Sequence, residues 1–512
     1  MIVKLALLIL FFSSMVAVGF YCRKHSTNVS GFVLGGRSVG PWLTAFSFGT
    51  SYFSAVIFVG YAGQFGWKYG IASTWIGIGN ALLGSCLAWI VLGRRTRIMT
   101  QHLDSATMPE FFGRRFNSDA LKIGASIITF VFLIPYTASL YNGLSRLFGM
   151  AFSIDYSVCI IVMALLTAVY VIAGGYMATA INDFIQGIIM IFGIIAVIAA
   201  VLINHGGFTT ALTTLSQVSD PSVSSQAGVF TSFFGPDPLG LLGVIILTSL
   251  GTWGLPQMVG KFYAISDEHA INKGMVISTF FAIIVAGGSY FLGGFGRLYS
   301  GMIDVKVDGY DAIIPMMLES LPDILIGIVV ILVLSASMST LSSLVMASSS
   351  TLTLDLIKDN VVKNMSEKKQ ILCIRILIVV FILISVIIAI VQYKSSVTFI
   401  AQLMGISWGA LAGSFLAPFL YGLYWKRVTK PAVWFSFLFS TLLMIGNLFF
   451  GQFYPLWLKS PINAGAFAML LTLAVVPIIS IMTRPPQREL VDDAFSAYNR
   501  MVTVPIKEDL GE

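Results

Sequence analysis

Residues 334–353 read LSASMSTLSSLVMASSSTLT, and their reading decides what the rest of the chain is for. They lie within a run apolar enough to cross a bilayer, yet they are crowded with hydroxyls. Ala336, Ser339, Thr340 and Ser343 recur at i, i+3, i+4 and i+7 and so share one helical face. A helix in lipid satisfies its own backbone hydrogen bonds, so side-chain oxygens aligned along one stripe call for another partner. A neighbouring helix, a water-filled path or a bare cation would each serve. Small residues that let membrane helices pack closely are the plainest of the three.

The whole chain has this apolar character. Its 512 residues are 57% hydrophobic and only 10% charged, with a mean hydropathy of +0.89. Soluble chains carry about a quarter charged residues. The composition is that of a polytopic membrane protein, and a helical one, because each apolar run is far longer than a barrel strand. A net charge of +7 invites a nucleic-acid reading, but the positive residues are spread between apolar spans. Cys22, Cys86, Cys159 and Cys373 stand at unrelated spacings, so neither a disulfide framework nor a zinc site is expected. The four histidines are equally scattered.

Residues 2–22 end in Arg23-Lys24, the reverse of a signal peptide's charge order, and predict a first crossing with its N-terminus outside. Further crossings are expected at 42–63, 70–93, 120–149, 154–174, 183–204, 240–262, 274–297, 322–353, 371–392, 396–424, 431–453 and 462–483, thirteen in all. With that count, only Lys4, Lys68, Arg146, Arg297, Lys306, Lys394 and Lys459 of the 30 Lys and Arg fall outside. This is the asymmetry that the positive-inside rule requires. Residues 1–512 are expected to form a single transport domain: a first helix and loop (1–40), a core (41–430), two last helices (431–483) and a cytoplasmic tail (484–512). The outer loop 205–239 holds no Lys or Arg. Asp304, Asp308, Asp311 and Glu319 cluster in the next long one, as a solvated face or as a means of raising local cation concentration.

Two of these spans are expected to be broken. The second has the small, polar stretch Gly49-Thr50-Ser51-Tyr52-Phe53-Ser54 at about half depth. The seventh is interrupted by Gly251, Gly254 and Pro256, and Pro256 can neither donate to the preceding turn nor avoid clashing with it. Unwound backbone survives at membrane depth only where it is buried or lines a cavity. Its free carbonyls can bind a cation, and half-helix N-termini an anionic group. Broken helices five spans apart point to an inverted-repeat transporter.

The chain resembles the sodium:solute symporters over nearly its whole length. The resemblance is carried by residues 34–41 (LGGRSVGP), 173–176 (AGGY), 182–187 (NDFIQG), 254–257 (GLPQ) and 338–342 (MSTLS). It implies a leucine-transporter-type fold, all-α, with two five-helix inverted repeats plus outer helices. It also implies a co-transported sodium ion, held by the backbone carbonyls of Thr50, Phe53 and Ala336 and the hydroxyls of Ser339 and Thr340. That chemistry is coherent by itself, since a hard cation prefers oxygen ligands. Neutral oxygens, moreover, avoid leaving a charge in the membrane. Where the family's proline carriers have an aspartate this chain has Tyr52, and Thr248 and Thr252 stand where they have Trp and Tyr. The Tyr52–Ala55 run resembles the pantothenate and monocarboxylate branch, whereas residues 35–47 and Tyr136 resemble the proline branch.

The solute pocket is therefore expected to be lined by Ser54, Tyr136, Thr252, Trp253 and Pro256. No Lys or Arg is expected near mid-membrane, so a solute carboxylate would rest on backbone N–H groups. Asp183 either gates the sodium path or caps the sixth span at its N-terminus. The expected activity is sodium-coupled uptake of a small organic solute, an amino acid of the proline kind or a carboxylate, by alternating access across the plasma (inner) membrane. A cation channel and a proton-coupled transporter of the same fold are the alternatives. No repeated filter motif and no clustered catalytic side chains point to a channel or an enzyme. The partners expected are the solute, sodium and the lipid bilayer, with no nucleic acid and no obligate protein.

Overall fold

The computed structural model describes residues 2–25, 27–152, 155–221, 223–224, 226–358, 361–362, 365–395 and 400–499. The expected span starts at 154 and 396, and the tail beyond 499, lie outside the described residues. Nearly all of the chain is helical. The exterior carries large apolar side chains such as Phe192, Leu165, Ile387 and Leu442, each more than half exposed, as a lipid-facing surface requires. The Asp323–Thr351 helix is the opposite case: every residue from Leu332 to Met346 is buried. A helix surrounded on all sides is the axis of its bundle.

Among the described residues, nine helices are long and apolar enough to cross a membrane, ten with the bent pair at 238–264 taken as one. This falls short of the expected thirteen, for a local reason. Helix Tyr156–Asn204 has 49 residues, about 73 Å at 1.5 Å per residue against a core of about 30 Å. It turns at Gly175, where φ is 57° and ψ −147°. A Cβ there would sit 2.9 Å from the Phe32 carbonyl oxygen, so the AGGY run marks a corner between two helical segments. The apolar stretch Val56–His102 similarly runs 47 residues, through Gly70 at φ 62°.

Both expected breaks are present. The first broken helix runs Pro41–Tyr52 and turns extended at Phe53 (φ −81°, ψ 119°) before resuming. Gly49 itself is helical; a Cβ on it would lie 2.4 Å from the Phe281 ring, so this glycine serves close packing and the break comes four residues later. The second broken helix runs Pro238–Leu250, tightens at Gly251–Trp253, turns extended at Leu255 and restarts at Pro256. Its two halves are bent by 41°. Proline at the first position of a helix loses nothing, since its missing N–H would have had no partner. The two broken helices are clipped together at one end: Val39 N–H donates to Ala264 O (3.1 Å) and Ser266 N–H to Val39 O (3.0 Å). Arg37 braces this clip, donating to Ser105 O (2.6 Å) and Tyr263 O (3.3 Å).

Candidate functional site

The first site grows from the end of the Pro41–Tyr52 helix. Its last helical hydrogen bond runs from Phe53 N–H to Gly49 O (3.0 Å). Beyond it the extended turn leaves the carbonyls of Thr50 and Phe53 without helical donors. The hydroxyl helix meets them there. Thr340 Oγ1 lies 3.1 Å from Thr50 O, 3.4 Å from Phe53 O and 3.0 Å from Ala336 O. Ser339 Oγ lies 3.2 Å from Thr50 O and 3.1 Å from Ala336 O. The contacts to Ala336 are ordinary back-bonds of helical Ser and Thr, but those to Thr50 and Phe53 join elements almost 290 residues apart in sequence. All five expected sodium ligands are brought together. Their separations match a cation cage: oxygens held octahedrally at roughly 2.4 Å from an ion stand roughly 3.4 Å from each other.

A second group gathers beside the break. Tyr52, Ser54, Asn80, Tyr136, Tyr290 and Trp408 are all 5% exposed or less. Tyr52 and Tyr136 both pack on Trp408, with ring centroids 5.8 and 5.9 Å away. The Tyr52, Tyr136 and Tyr290 hydroxyls, Ser54 Oγ, Asn80 Nδ2 and Trp408 Nε1 have no hydrogen-bond partner among the described residues. Several of them approach one another closely without reaching hydrogen-bond geometry. Buried polar groups are rarely left so, because each costs about 1–3 kcal/mol. Six in one place form a buried, aromatic-walled cluster rich in donors.

Of the expected solute residues, Ser54 and Tyr136 enter this cage. Thr252 and Trp253 are occupied elsewhere: Thr252 donates to Gly84 O (2.8 Å) and Trp253 to Leu83 O (2.9 Å), stapling the second break to the neighbouring helix. Pro256 lines a cavity elsewhere, beside Gln257 and Lys261. The sequence does not single out Asn80, Tyr290 or Trp408, and it marks Tyr52 as a departure from the proline carriers and as part of the run that resembles the pantothenate and monocarboxylate branch, not as a solute-lining residue. Their one local signal is a polar or aromatic side chain inside an apolar span.

Asp183 caps nothing, because the helix resumes at Tyr176 just after the Gly175 corner and Asp183 lies well inside it. It is fully buried. Its Oδ2 accepts from Ser47 Oγ (2.5 Å) and stands 3.8 Å from Lys261 Nζ. Lys261, expected at a water-facing span end, instead turns inward, 4% exposed, and donates to Ser343 Oγ (3.0 Å). Ser343 in turn meets Ser51 Oγ at 2.7 Å. Hydroxyls thus link the ion pair to Ser51 and Ser343, residues of the same two helices that carry the five-oxygen cluster. A cation therefore does lie within the core, because serine and aspartate solvate it there in place of water.

The sodium:solute symporter family profile matches residues 32–438. Sodium/proline symporters of Staphylococcus aureus, strains JH9 and JH1, are 30% identical over 430 residues, covering 82% of this chain and 81% of theirs. A solved structure of a Na+-coupled sialic acid symporter, substrate-bound and outward-open, superposes with a TM-score of 0.73 at 16% identity, over 95% of this chain and 99% of that one. That likeness is one of fold, and the fold is of the leucine-transporter type. By sequence over most of its length, and by a fold built on two broken helices, the chain belongs to the sodium:solute symporter family and is a multi-pass membrane transporter, not an enzyme.

Proposed function

We propose that the chain takes up a small organic solute together with sodium by alternating access. Sodium rests on Thr50 O, Phe53 O, Ala336 O, Ser339 Oγ and Thr340 Oγ1, and the solute rests in the cage of Tyr52, Ser54, Asn80, Tyr136, Tyr290 and Trp408. The observation that carries this reading is the convergence of five oxygens from two distant elements, each within 3.4 Å of at least one other. The relatives named sodium/proline symporters favour an amino acid of the proline kind. The donor-rich cage, which holds no carboxylate, favours a solute whose polar end is an acceptor, such as a monocarboxylate or pantothenate.

The whole chain acts as one transport unit in the plasma membrane, N-terminus outside and C-terminal tail in the cytoplasm. Taking Tyr156–Asn204 and the Val56–His102 stretch as two crossings each, and adding the bent pair and helix Ile2–Tyr21, brings the crossings to thirteen. One sodium entering at 100 mV releases about 2.3 kcal/mol, and a tenfold inward gradient adds about 1.4 kcal/mol. Together these concentrate a neutral solute about five-hundred-fold.

The test is radiolabelled uptake into proteoliposomes, with proline and short carboxylates as trial solutes. Uptake saturates with solute and collapses when external sodium is replaced by potassium. Undiminished uptake in sodium-free buffer driven by a proton gradient would refute the sodium assignment.

A further inference from the structure

The small cavity beside the second break has a chemistry that sodium transport does not use. It has a volume of about 60 Å³, room for a few waters or one small polar head group. Pro256, Gln257, Gly260 and Lys261 line one wall, with Tyr176 and Ser343 among the residues opposite. Gln257 and Lys261 are one helical turn apart on the Pro256–Ala264 helix and so present to the same side. Gln257 is 3% exposed, and neither its amide nitrogen nor its oxygen has a hydrogen-bond partner among the described residues. The Tyr176 hydroxyl, also buried, likewise has none, and the Tyr176 ring centre lies 5.3 Å from Lys261 Nζ. An ammonium has three N–H donors; one goes to Ser343, leaving two. Asp183 at 3.8 Å attracts it by charge rather than as a close hydrogen-bonded partner. Amide, phenol and ammonium donors thus meet around a space the size of a carboxylate.

We propose that this cavity is a release subsite for the solute's carboxylate, received by Lys261, Gln257 and Tyr176, and that the transported solute therefore bears a carboxylate. The inference rests on the transport reading above, whose candidate solutes all carry a carboxylate, and adds a place on the exit path that receives that group. A carboxylate beside Asp183 and Lys261 leaves one negative charge in excess, and the co-transported sodium cancels it. Ser343, which lines the cavity, meets Ser51 at 2.7 Å, and these two residues lie on the helices that carry the five-oxygen cluster. The solute would leave the cage past Pro256 with its carboxylate leading. Gly260 supplies the means of testing this, because a Cβ built there meets nothing within 4 Å. A Cβ at this lining position displaces nothing, so a larger residue there takes up space in the cavity.

The experiment uses the purified full-length protein in detergent and follows its thermal unfolding. Propionate, chloride and the isosteric neutral propionamide are titrated separately, at fixed total sodium with sulfate as the balancing anion. Propionate is expected to stabilise the parent protein saturably, and chloride and propionamide are not. In Gln257→Leu the half-saturating propionate concentration should rise about tenfold or more, the usual consequence of losing a hydrogen bond to a charged group. In Gly260→Val the propionate response should vanish while the sodium titration, run without propionate, keeps its midpoint. That midpoint reports the five-oxygen site separately, so sodium binding can stand even if the carboxylate subsite falls. Lack of a propionate response in the parent, an equal response to propionamide or chloride, or an unchanged response in Gly260→Val would each overturn the proposal.

Discussion

At the scale of single residues, Thr340 is the most exacting test. Its hydroxyl touches three carbonyl oxygens from two elements. If it only packed helices, Thr340→Ala would change little, since alanine is also small. As a ligand it should raise the sodium concentration for half-maximal uptake about 5- to 150-fold, corresponding to about 1–3 kcal/mol. Thr340→Ser should stay near the parent. Ser337→Ala, which loses only a bond to its own helix at Val333 O, is the control; sodium curves that superimpose for Thr340→Ala and Ser337→Ala would assign the stripe to packing. Tyr136 makes a different prediction, because its buried hydroxyl is without a hydrogen-bond partner among the described residues. Tyr136→Phe should leave thermal stability equal or slightly higher, since it removes a stranded polar group. It should also weaken the solute's half-saturation about tenfold with the sodium midpoint unmoved. Reduced stability with unchanged solute affinity would mean that the hydroxyl serves the fold.

At the scale of elements, the corner at Gly175 and the clip at Arg37 carry separable predictions. Gly175→Ala forces on an alanine a backbone region (φ 57°, ψ −147°) open essentially to glycine alone, about 1–3 kcal/mol, and drives its Cβ against Phe32. Folded yield and melting temperature should both drop. Arg37 donates to Ser105 O and Tyr263 O and shares the clip with Arg97, which donates to Ile265 O (2.6 Å). Arg37→Ala should loosen the shared end of the two broken helices with little loss of fold, because Arg97 remains. A cysteine placed at Ala106, beside the inner cavity, should then react faster with a thiol reagent while uptake slows; an unchanged labelling rate would mean that the clip does not gate. Here the sequence was legible in part. Pro256 announced its break because proline acts on its own turn, whereas Gly49 suggested a break and instead makes room for the Phe281 ring, a neighbour no local pattern names.

At the scale of the whole molecule, the prediction is topological. With Cys22, Cys86, Cys159 and Cys373 replaced, a cysteine at Thr213 should be labelled in intact cells by an impermeant reagent, and one at Glu367 should not. Both positions are exposed on the protein. Labelling of Glu367→Cys from outside would shift every later crossing by one and reverse the side on which the tail lies. The same assignment puts the Arg297 to Asp220 ion pair (2.7 Å) on the outer face, where it ties the outer loop to the bundle.

The order of residues alone determined the membrane class, the two broken helices and the shared face of Ala336, Ser339 and Thr340; the carbonyls of Thr50 and Phe53 came from the family resemblance, and only the tertiary structure set them beside that face. Hydropathy is a sum over neighbours, proline and glycine act on the turn they occupy, and the i, i+3, i+4 hydroxyls fall on one face by helix geometry alone. The polar cage was decided only by the tertiary structure. Tyr52, Asn80, Tyr136, Tyr290 and Trp408 come from five stretches of chain, and no spacing within any one of them marks it as a wall. Lys261 is the clearest case. At the end of an apolar span it reads as a cation reaching for water, and only the packing of Asp183, Ser343 and Tyr176 around it turned that charge inward.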